Sequence, residues 1–361
     1  MDLESLIRPA VFGFPGYKAC KSLDMVSGEN ISHRVIKLDA NENPYGPSPR
    51  VAQALGCYCG FHLYPDAEQT EIRKYFECYS GIPKECIVAG AGSDQLIEYL
   101  LRLFVNPGDE VINLSPTFGM YRFYTDLYCA SVVDVPRLGD FGVDVDKVKK
   151  AISRRTKLIF LANPNNPTGT LVGRDVILDL VETGLPLVVD EAYFEFSGET
   201  VAPLVQEYPN LFVLRSFSKW AGLAGLRIGY GLFPERIASY LMCIKDPYSV
   251  NVAAVVAVRE SLNDLEYLRG RIVEIVQERE RLFARLKCLG WLVPISSRAN
   301  FILCRVVEGD AKSVYKELES RGILVRYFDQ RGLEDCIRIS IGRPEDDDML
   351  VGVLKDIGGE G

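Results

Sequence analysis

The sequence is poor in the residue types that build metal centres. Among 361 residues there are only two histidines, His33 and His62. The ten cysteines are scattered without any CxxC pair, and the spacing of Cys57 and Cys59 is wrong for a zinc knuckle. The sequence therefore predicts no metal site. Scattered cysteines in a chain of this size are typical of reduced thiols, which predicts a cytoplasmic setting.

Long apolar runs and excess positive charge are also lacking. No stretch approaches the roughly 18 apolar residues that would span a membrane, and residues 1–5 are acidic and lack the apolar core of a signal peptide. The net charge of -8 predicts no nucleic-acid partner. Small anionic ligands stay compatible with this charge, because a local basic pocket can overcome a mildly acidic surface.

What the sequence has is an alternating pattern of apolar strands and helices. Near-continuous apolar runs between about residues 86 and 232 predict an α/β fold, with a mostly parallel sheet sandwiched by helices. A helix is expected over residues 93–104, with Ser93 as its N-cap. We expect an N-terminal arm at 1–45, a large domain at 46–247 and a smaller α+β domain at 248–361. In the last part, one long helix is predicted from about 251 to 289 and one strand over 323–326.

Polar and charged residues follow the ends of two predicted strands. Asp190 ends the apolar run 185–190, and a buried carboxylate there needs a partner such as a protonated heteroaromatic nitrogen. The alternative is an aspartate that caps the next turn. The loop 163–170 follows another strand, and its Pro and Gly residues would hold Asn side chains rigidly. As a bare turn, this loop would be unremarkable.

A third cluster lies in the stretch 216–231. Lys219 can serve as an amine nucleophile, while Ser216, Ser218 and Arg227 can hold an anion. The alternative is a glycine-rich turn with a solvated lysine and arginine. Residues 90–94 join a strand to a helix whose amides form a second anion site. Gln95 stands where a dinucleotide fingerprint needs its third glycine, so a simple phosphate fits better.

Taken together and in this order, the motifs resemble those of the fold-type-I pyridoxal phosphate (PLP) aminotransferases. The resemblance rests on Ser-Phe-Ser-Lys219, Arg227 eight residues later, Asp190-x-x-Tyr193 and Asn166-Pro-Thr-Gly, and it covers nearly the whole chain. It implies a large PLP-binding domain, a small C-terminal domain and PLP as the cofactor.

The resemblance also implies a role for each motif residue. Lys219 would bond to the cofactor and act as the general acid and base. Asp190 would pair with the pyridine nitrogen, and Tyr193 and Asn166 would hydrogen-bond the ring oxygen. The phosphate would be held by Ser216, Ser218 and Arg227 and by the amides at Gly92, Ser93 and Asp94.

Three further expectations accompany these roles. The Asp94 side chain is expected to point away from the phosphate or to cap the helix. Phe118 matches an aromatic residue that stacks on the cofactor ring, although simple core packing would also explain it. Tyr64 resembles a tyrosine that reaches the partner subunit's cofactor phosphate, which would require a homodimer with shared active sites.

The strip 38–49 and the segments 247–251 and 299–301 resemble the histidinol-phosphate aminotransferases. This resemblance implies transamination between histidinol phosphate and 2-oxoglutarate in histidine biosynthesis. Substrate binding is implied for Arg326, Arg338, Tyr17 and Asn41. One pair of guanidinium groups can accept either a carboxylate or a phosphate bidentately. The roles of Arg331 and Arg343 stay open.

Alternative functions share this fold and cofactor. They are an aromatic amino-acid aminotransferase and a threonine-phosphate decarboxylase. An inactive binding protein on the same fold is the alternative from another class. The intact set of Lys219, Asp190, Tyr193 and Arg227 argues against an inactive protein.

Overall fold

The computed structural model of the protein describes residues 3–8, 11–12, 14, 16–17, 19–20 and 35–359. Within the predicted arm of residues 1–45, residues 21–34 lie outside the described part of the chain, whereas residues 35–45 are described. The strands are β1 Ile36–Lys37, β2 Ile87–Gly90, β3 Glu110–Ser115, β4 Ser131–Pro136, β5 Thr156–Ala162, β6 Leu187–Asp190, β7 Leu211–Ser216, β8 Gly229–Leu232, β9 Leu292–Pro294, β10 Phe301–Val306, β11 Ile323–Leu324, β12 Arg326–Tyr327 and β13 Cys336–Ser340.

The α-helices alternate with these strands. They are α1 Pro49–Cys57, α2 Thr70–Ser80, α3 Ser93–Phe104, α4 Met120–Leu127, α5 Val145–Ala151, α6 Arg174–Val181, α7 Phe194–Ser197, α8 Glu235–Ile244, α9 Val252–Leu262, α10 Leu265–Lys287, α11 Ala311–Ser320 and α12 Pro344–Gly359. Short 3-10 turns occur at Glu4–Leu6, Lys84–Cys86, Ala202–Gln206 and Ala224–Leu226.

A seven-stranded sheet with the order β2-β8-β7-β6-β5-β3-β4 forms the centre of the molecule. Strand β8 runs antiparallel to both of its neighbours, and the other pairs are parallel. Along β5, Ile159 and Leu161 pack into one hydrophobic core while Leu158 and Phe160 pack into another. The sheet is therefore covered on both faces, which explains its near-continuous apolar strands and confirms the predicted α/β class.

The C-terminal part contains a four-stranded antiparallel sheet, β12-β13-β10-β9. The short strand β1 pairs in parallel with β11, with Ile36 opposite Ile323 and Lys37 opposite Leu324. The last part of the predicted arm, which includes β1, is thus attached to the C-terminal part of the chain.

The single helix predicted over 251–289 is wrong, because the chain breaks between α9 and α10. Asn263 ends α9, and Asp264 precedes α10. The carboxylate of Asp264 accepts a hydrogen bond from the Ser48 hydroxyl, which is distant in sequence. This contact holds the break in place, and apolar periodicity along the helix could not reveal it.

Two local predictions also need correction. The strand predicted over 323–326 is divided at Val325, because β11 pairs with β1 whereas β12 pairs with β13. Gly92 rather than Ser93 is the N-cap of α3, and Ser93 is the first helical residue. The positive φ of 85° at Gly92 suits glycine in the turn that leads into the helix.

The division at residue 247 stays a prediction. Helix α9 lies beyond this position but packs against α1 and α2. Helix α10 packs against β9 and α12 and also against α7 of the large domain. We propose that the chain passes from the large to the small domain through these two helices.

Within the described part of the chain, no helix has the length and apolar character needed to cross a membrane. The same residues contain no group of three or more His, Cys, Asp or Glu side chains arranged to hold a metal ion. All ten cysteines are free thiols.

A buried ion pair joins the ends of β6 and β7. The Nε and Nη2 atoms of Arg215 donate to Glu191 Oε2 over 3.1 and 3.0 Å. Thr200 and the amide of Val201 also donate to Glu191, and the guanidinium lies over the Phe194 ring at 3.6 Å. Both charged side chains are almost fully buried. Their charges are therefore compensated inside the protein rather than by water.

Replacing Arg215 by methionine would leave the Glu191 carboxylate buried without its counter-charge. We expect Arg215→Met to lower the free energy of unfolding by about 3–5 kcal/mol. Urea denaturation of the cofactor-free protein measures this loss. Arg305→Met is the matched control, since Arg305 also lies on a strand but pairs with Asp335 at the surface, where such pairs contribute less than about 1 kcal/mol. Equal losses in the two variants would contradict the interpretation.

Candidate active site

A cavity of about 340 Å³ lies where the parallel strands β3, β5, β6 and β7 end, facing the C-terminal sheet. Ligands bind at this edge in open α/β sheets, and the volume lies within the range of about 300–1,000 Å³ for small-molecule pockets. All predicted site residues except Gly92 and Tyr64 line the cavity. These are Tyr17, Asn41, Ser93, Asp94, Phe118, Asn166, Asp190, Tyr193, Ser216, Ser218, Lys219, Arg227, Arg326 and Arg338.

Lys219 lies in the loop after β7 and presents its amine to the cavity. The Nζ atom donates to the carbonyl oxygen of Ala40 over 2.9 Å. Desolvation by the surrounding protein lowers the pKa of Lys219 to about 8, and the positive charge of Arg338 acts in the same direction. A substantial fraction of the amine is therefore neutral close to physiological pH.

Asp190 ends β6 and is buried. Its Oδ2 accepts from the Tyr121 hydroxyl over 2.7 Å, and its Oδ1 accepts from the amide of Ala192 over 3.1 Å. Burial raises the pKa of Asp190 to about 6, although both hydrogen bonds oppose the rise. The carboxylate thus caps the following turn, as the alternative interpretation expected, and also lines the cavity as a mostly ionised group at neutral pH.

Three hydrogen bonds connect the large sheet, the C-terminal sheet and the segment 39–41 around the cavity. Arg338, on β13, donates to Asn166 Oδ1 over 2.5 Å and to the carbonyl of Asp39 over 2.7 Å. Asn41 donates to the Tyr193 hydroxyl over 3.0 Å. The guanidinium of Arg338 is buried and poorly solvated, which lowers its pKa. Burial raises the pKa of Tyr193 to about 12, so its phenol stays protonated near pH 7.

The segment that carries Asn41 is held by the C-terminal sheet. Asn41 has a positive φ of 55°, its amide donates to the Ser340 hydroxyl, and its carbonyl accepts from Asn300. Arg326, on β12, lies over the Phe328 ring at 5.9 Å. The predicted arm, the large sheet and the C-terminal sheet thus all contribute residues to the same cavity.

One end of the cavity is suited to an anion. The Ser216 hydroxyl accepts from the Ser218 amide over 3.1 Å, and Arg227 is nearby in the turn before β8. A Cβ atom at Gly92 would lie 2.6 Å from Nη2 of Arg227, and one at Gly229 would lie 2.6 Å from the amide nitrogen of Ser93. Glycine at both positions therefore lets the guanidinium and the free amide of the α3 N-terminus approach each other.

The expectation that the Asp94 side chain points away or caps the helix is wrong. It lines the cavity, and its Oδ2 lies 3.0 Å from Nη2 of Arg227. The attraction of Arg227 and the positive end of the α3 dipole both favour a carboxylate in this position. Burial raises the pKa of Asp94, and Arg227 opposes this rise.

Comparison with known proteins gives the chain its family. The profile of aminotransferase class I and II matches residues 33–354. The chain belongs to the class I and II aminotransferases. A histidinol-phosphate aminotransferase of Dehalococcoides mccartyi (strain ATCC BAA-2266 / KCTC 15142 / 195) is 53% identical over 357 residues, which cover 99% of each chain. A histidinol-phosphate aminotransferase of Roseiflexus castenholzii is 47% identical over 368 residues, again 99% of each.

A solved structure shows the same similarity in three dimensions. The histidinol-phosphate aminotransferase from Sinorhizobium meliloti, in complex with pyridoxal-5'-phosphate, superimposes with a TM-score of 0.90. It is 26% identical in sequence, and the match covers 99% of this aminotransferase and 98% of that chain. The predicted fold-type-I architecture is therefore confirmed.

The structure adds residues that the sequence did not single out. Tyr121 bonds to Asp190, and Thr117, Cys20, Phe328 and Gln330 line the cavity. In the sequence, Tyr121 is an aromatic residue three positions after Phe118, and this spacing is the signal that could have drawn attention to it. Nothing in the sequence marks the other four.

Besides Gly92, three of the nominated or open positions lie outside the cavity. The Tyr64 ring is 82% exposed and stacks on Tyr248 with ring centroids 4.5 Å apart. Arg343 donates to the carbonyl of Pro44 and lies beside the Tyr45 ring, while Arg331 is exposed. Neither arginine supplements Arg326 and Arg338 within the cavity of this chain.

The depressed pKa of Lys219 gives a testable pH dependence. In the cofactor-free protein, we expect the amine to titrate with a midpoint of about 8. Arg338→Met should raise this midpoint by about one unit, because removal of a nearby cation makes protonation easier. NMR titration of the Cε signal in 13C-lysine-labelled protein, assigned with Lys219→Arg, measures both values.

Arg343→Met is the matched control, since it removes an arginine outside the cavity and should leave the midpoint unchanged. An ordinary lysine midpoint in the wild type, or the same shift in both arginine variants, would contradict the assigned environment of Lys219.

Proposed function

We propose that this aminotransferase transfers an amino group between L-histidinol phosphate and 2-oxoglutarate in histidine biosynthesis, with PLP as its cofactor. The observation that carries the proposal is a desolvated lysine amine in one cavity with the carboxylate of Asp190 and the guanidinium of Arg338. The choice of substrate is supported by the two relatives at 53% and 47% identity over their full length.

The cavity residues fit this cofactor. When bound, PLP supplies an aldehyde that combines with amines and a ring that accepts the electrons of a breaking Cα–H bond. We assign its phosphate to Arg227, to the hydroxyls of Ser216 and Ser218 and to the α3 amides at positions 92–94, where the missing Cβ atoms of Gly92 and Gly229 leave the approach open. Lys219 would hold the aldehyde end.

Residues around the ring complete this assignment. Asp190, ionised at neutral pH, would pair with the ring nitrogen and keep it protonated. Tyr193 and Asn166 would bond the ring oxygen, and Phe118 would cover one face of the ring. These groups lie at the ends of β3, β5 and β6, on the same edge of the sheet as Lys219.

Lys219 is proposed to move the proton during the reaction. A pKa of about 8 lets Nζ take up a proton and return it without a large energetic penalty in either direction. The carbonyl of Ala40 orients the amine, and this carbonyl lies in the same segment as Asn41. Attachment of that segment to the C-terminal sheet therefore also places the amine.

Substrate anions are proposed to bind Arg338 and Arg326, with Tyr17 and Asn41 beside them. Arg338 is buried, so an incoming carboxylate or phosphate meets a guanidinium that water does not screen. Glutamate and histidinol phosphate each carry an anionic group of this kind. Two arginines in one cavity support binding of both substrates in turn.

The alternatives proposed from the sequence share the cofactor and much of the site. Neither an aromatic amino-acid aminotransferase nor a threonine-phosphate decarboxylase is favoured, because the full-length relatives reported above are histidinol-phosphate aminotransferases. An inactive binding protein is disfavoured by the complete set of Lys219, Asp190, Tyr193 and Arg227 in one chain.

The direct test is an assay of the purified protein with histidinol phosphate, 2-oxoglutarate and PLP. We expect formation of glutamate, and we expect Lys219→Ala to abolish both this turnover and the cofactor adduct trapped by borohydride. Phosphothreonine and phenylalanine are the comparison substrates. Faster turnover of either one would reject the substrate assignment, and persistence of the adduct in Lys219→Ala would place the cofactor on another lysine.

We further propose a homodimer in which Tyr64 reaches the cofactor phosphate of the partner subunit. Support comes from the position of Tyr64, which lies outside the cavity of its own chain and is mostly exposed.

A cytoplasmic setting is also proposed, and the ten free cysteines support it. Small-molecule substrates are the partners that the site requires.

Mixed dimers test the role of Tyr64. We expect Tyr64→Ala to weaken PLP binding about tenfold, because a charge-assisted hydrogen bond is lost. A dimer of one Tyr64→Ala chain and one Lys219→Ala chain, isolated with two different affinity tags, would combine an intact Lys219 and an intact Tyr64 in one site. Half of its sites should then bind PLP with wild-type affinity by fluorescence titration. Affinity as weak as that of the Tyr64→Ala homodimer would show that Tyr64 acts within its own chain or not at all.

A further inference from the structure

Tyr121 provides a side-chain partner for Asp190. Its hydroxyl donates to Asp190 Oδ2 over 2.7 Å, and both residues are buried at 1% and 5% exposure. The other carboxylate oxygen accepts from a backbone amide, that of Ala192. Among the residues that the structure describes, Tyr121 is the only side chain hydrogen-bonded to this carboxylate.

The Tyr121 ring is itself held firmly. It stacks on Phe160 of β5 with ring centroids 4.6 Å apart and an interplanar angle of 4°. Its edge contacts Phe118, with centroids 5.6 Å apart and planes at 87°. The hydroxyl is thus fixed by two aromatic contacts, so it can orient the carboxylate rather than follow it. Tyr121 therefore contacts both Phe118, which is assigned to the face of the cofactor ring, and Asp190, which is assigned to the nitrogen of that ring.

The electrostatic surroundings make this hydrogen bond consequential. Burial raises the pKa of Asp190, and the charges of Asp94 on α3 and Glu191 after β6 raise it further. The hydrogen bonds from Tyr121 and from the Ala192 amide act in the opposite direction, and that from Tyr121 is the larger effect. Burial raises the pKa of Tyr121 well above its ordinary value, so its hydroxyl keeps the proton that it donates.

Arg137 is another charged residue that acts on this pair. Its guanidinium is buried and donates to the backbone carbonyls of Leu114, Phe141 and Ala162. Its positive charge favours an anion at Tyr121, but the hydroxyl proton is retained because desolvation outweighs this influence. The hydrogen bond to Asp190 therefore keeps a single direction, with Tyr121 as donor.

We propose that Tyr121 is a positioning residue, which orients the Asp190 carboxylate toward the ring nitrogen of the cofactor and favours its anionic form. The inference rests on the proposed function, because Asp190 receives its partner there. Tyr121 does not contact the reacting atoms in this scheme. It acts through Asp190 and, by its ring, through Phe118.

Tyr121→Phe tests the proposal by removing only the hydroxyl. In the cofactor-free protein with 13C-labelled aspartate, we expect the carboxyl signal of Asp190 to titrate about one unit higher than in the wild type, about a tenfold weaker acid. The sign follows from the lost donor, which stabilised the anion. Tyr124→Phe on the same helix is the control, because no hydrogen bond joins Tyr124 to Asp190, and it should leave the midpoint unchanged.

Cofactor affinity gives a second readout. Tyr121→Phe should bind PLP about as well as the wild type at a pH well above the raised midpoint. Its Kd should rise relative to the wild type as the pH falls and Asp190 takes up a proton, by about twofold at pH 7 and toward about tenfold below the wild-type midpoint of about 6. In an Asp190→Asn background, the added Tyr121→Phe change should have no further pH-dependent effect.

The outcomes distinguish the proposed role of Asp190 from that of Tyr121. If Asp190→Asn binds PLP as the wild type does, the assignment of Asp190 in the proposed function is rejected. If Asp190→Asn weakens PLP binding but Tyr121→Phe changes neither the Asp190 midpoint nor the pH profile, only the role of Tyr121 is overturned. Should Tyr121→Phe fail to fold, 3-fluorotyrosine at position 121 offers a stronger donor of nearly the same shape. It should lower the Asp190 midpoint, and an unchanged midpoint would overturn the inference.

Discussion

Desolvation of opposite charges within one cavity is the constraint on which the rest of the structure depends. Lys219, Asp190 and Arg338 are all withdrawn from water, and each has its pKa displaced toward the neutral form. A protein tolerates such groups only where hydrogen bonds or opposite charges compensate them. Several segments around the cavity contribute to that compensation through hydrogen bonds to these three groups.

Part of the compensation comes from the C-terminal part of the chain. Arg338 bonds to Asn166 at the end of β5, and Ser340 and Asn300 hold Asn41, which in turn bonds to Tyr193. The pairing of β1 with β11 fixes the segment that supplies the Ala40 carbonyl to Lys219. The cavity is therefore a joint product of both sheets, and neither sheet alone would satisfy its polar groups.

Buried contacts next to the ends of β6 and β7 provide another part of the compensation. The residue after Asp190 is Glu191, whose pair with Arg215 joins β6 to the strand that leads to Ser216 and Lys219. The Tyr121 ring supports Asp190 from the side of β5. Buried polar groups thus hold the backbone on which the candidate catalytic groups stand, while the surrounding aromatic residues restrict their movement.

The sequence by itself determined the α/β pattern, and its motifs nominated most of the charged and polar residues around the cavity. Apolar runs, turn residues and the Lys219, Asp190 and Asn166 motifs are local features, so they can be interpreted without a structure. Tertiary structure alone decided the contacts between distant residues. The Tyr121–Asp190 bond spans 69 positions, the Asp94–Arg227 pair 133, and the Ser48–Asp264 contact at the break between α9 and α10 216. Local periodicity contains no information on which distant charge or donor will face a given side chain, and that is why these features escaped the sequence.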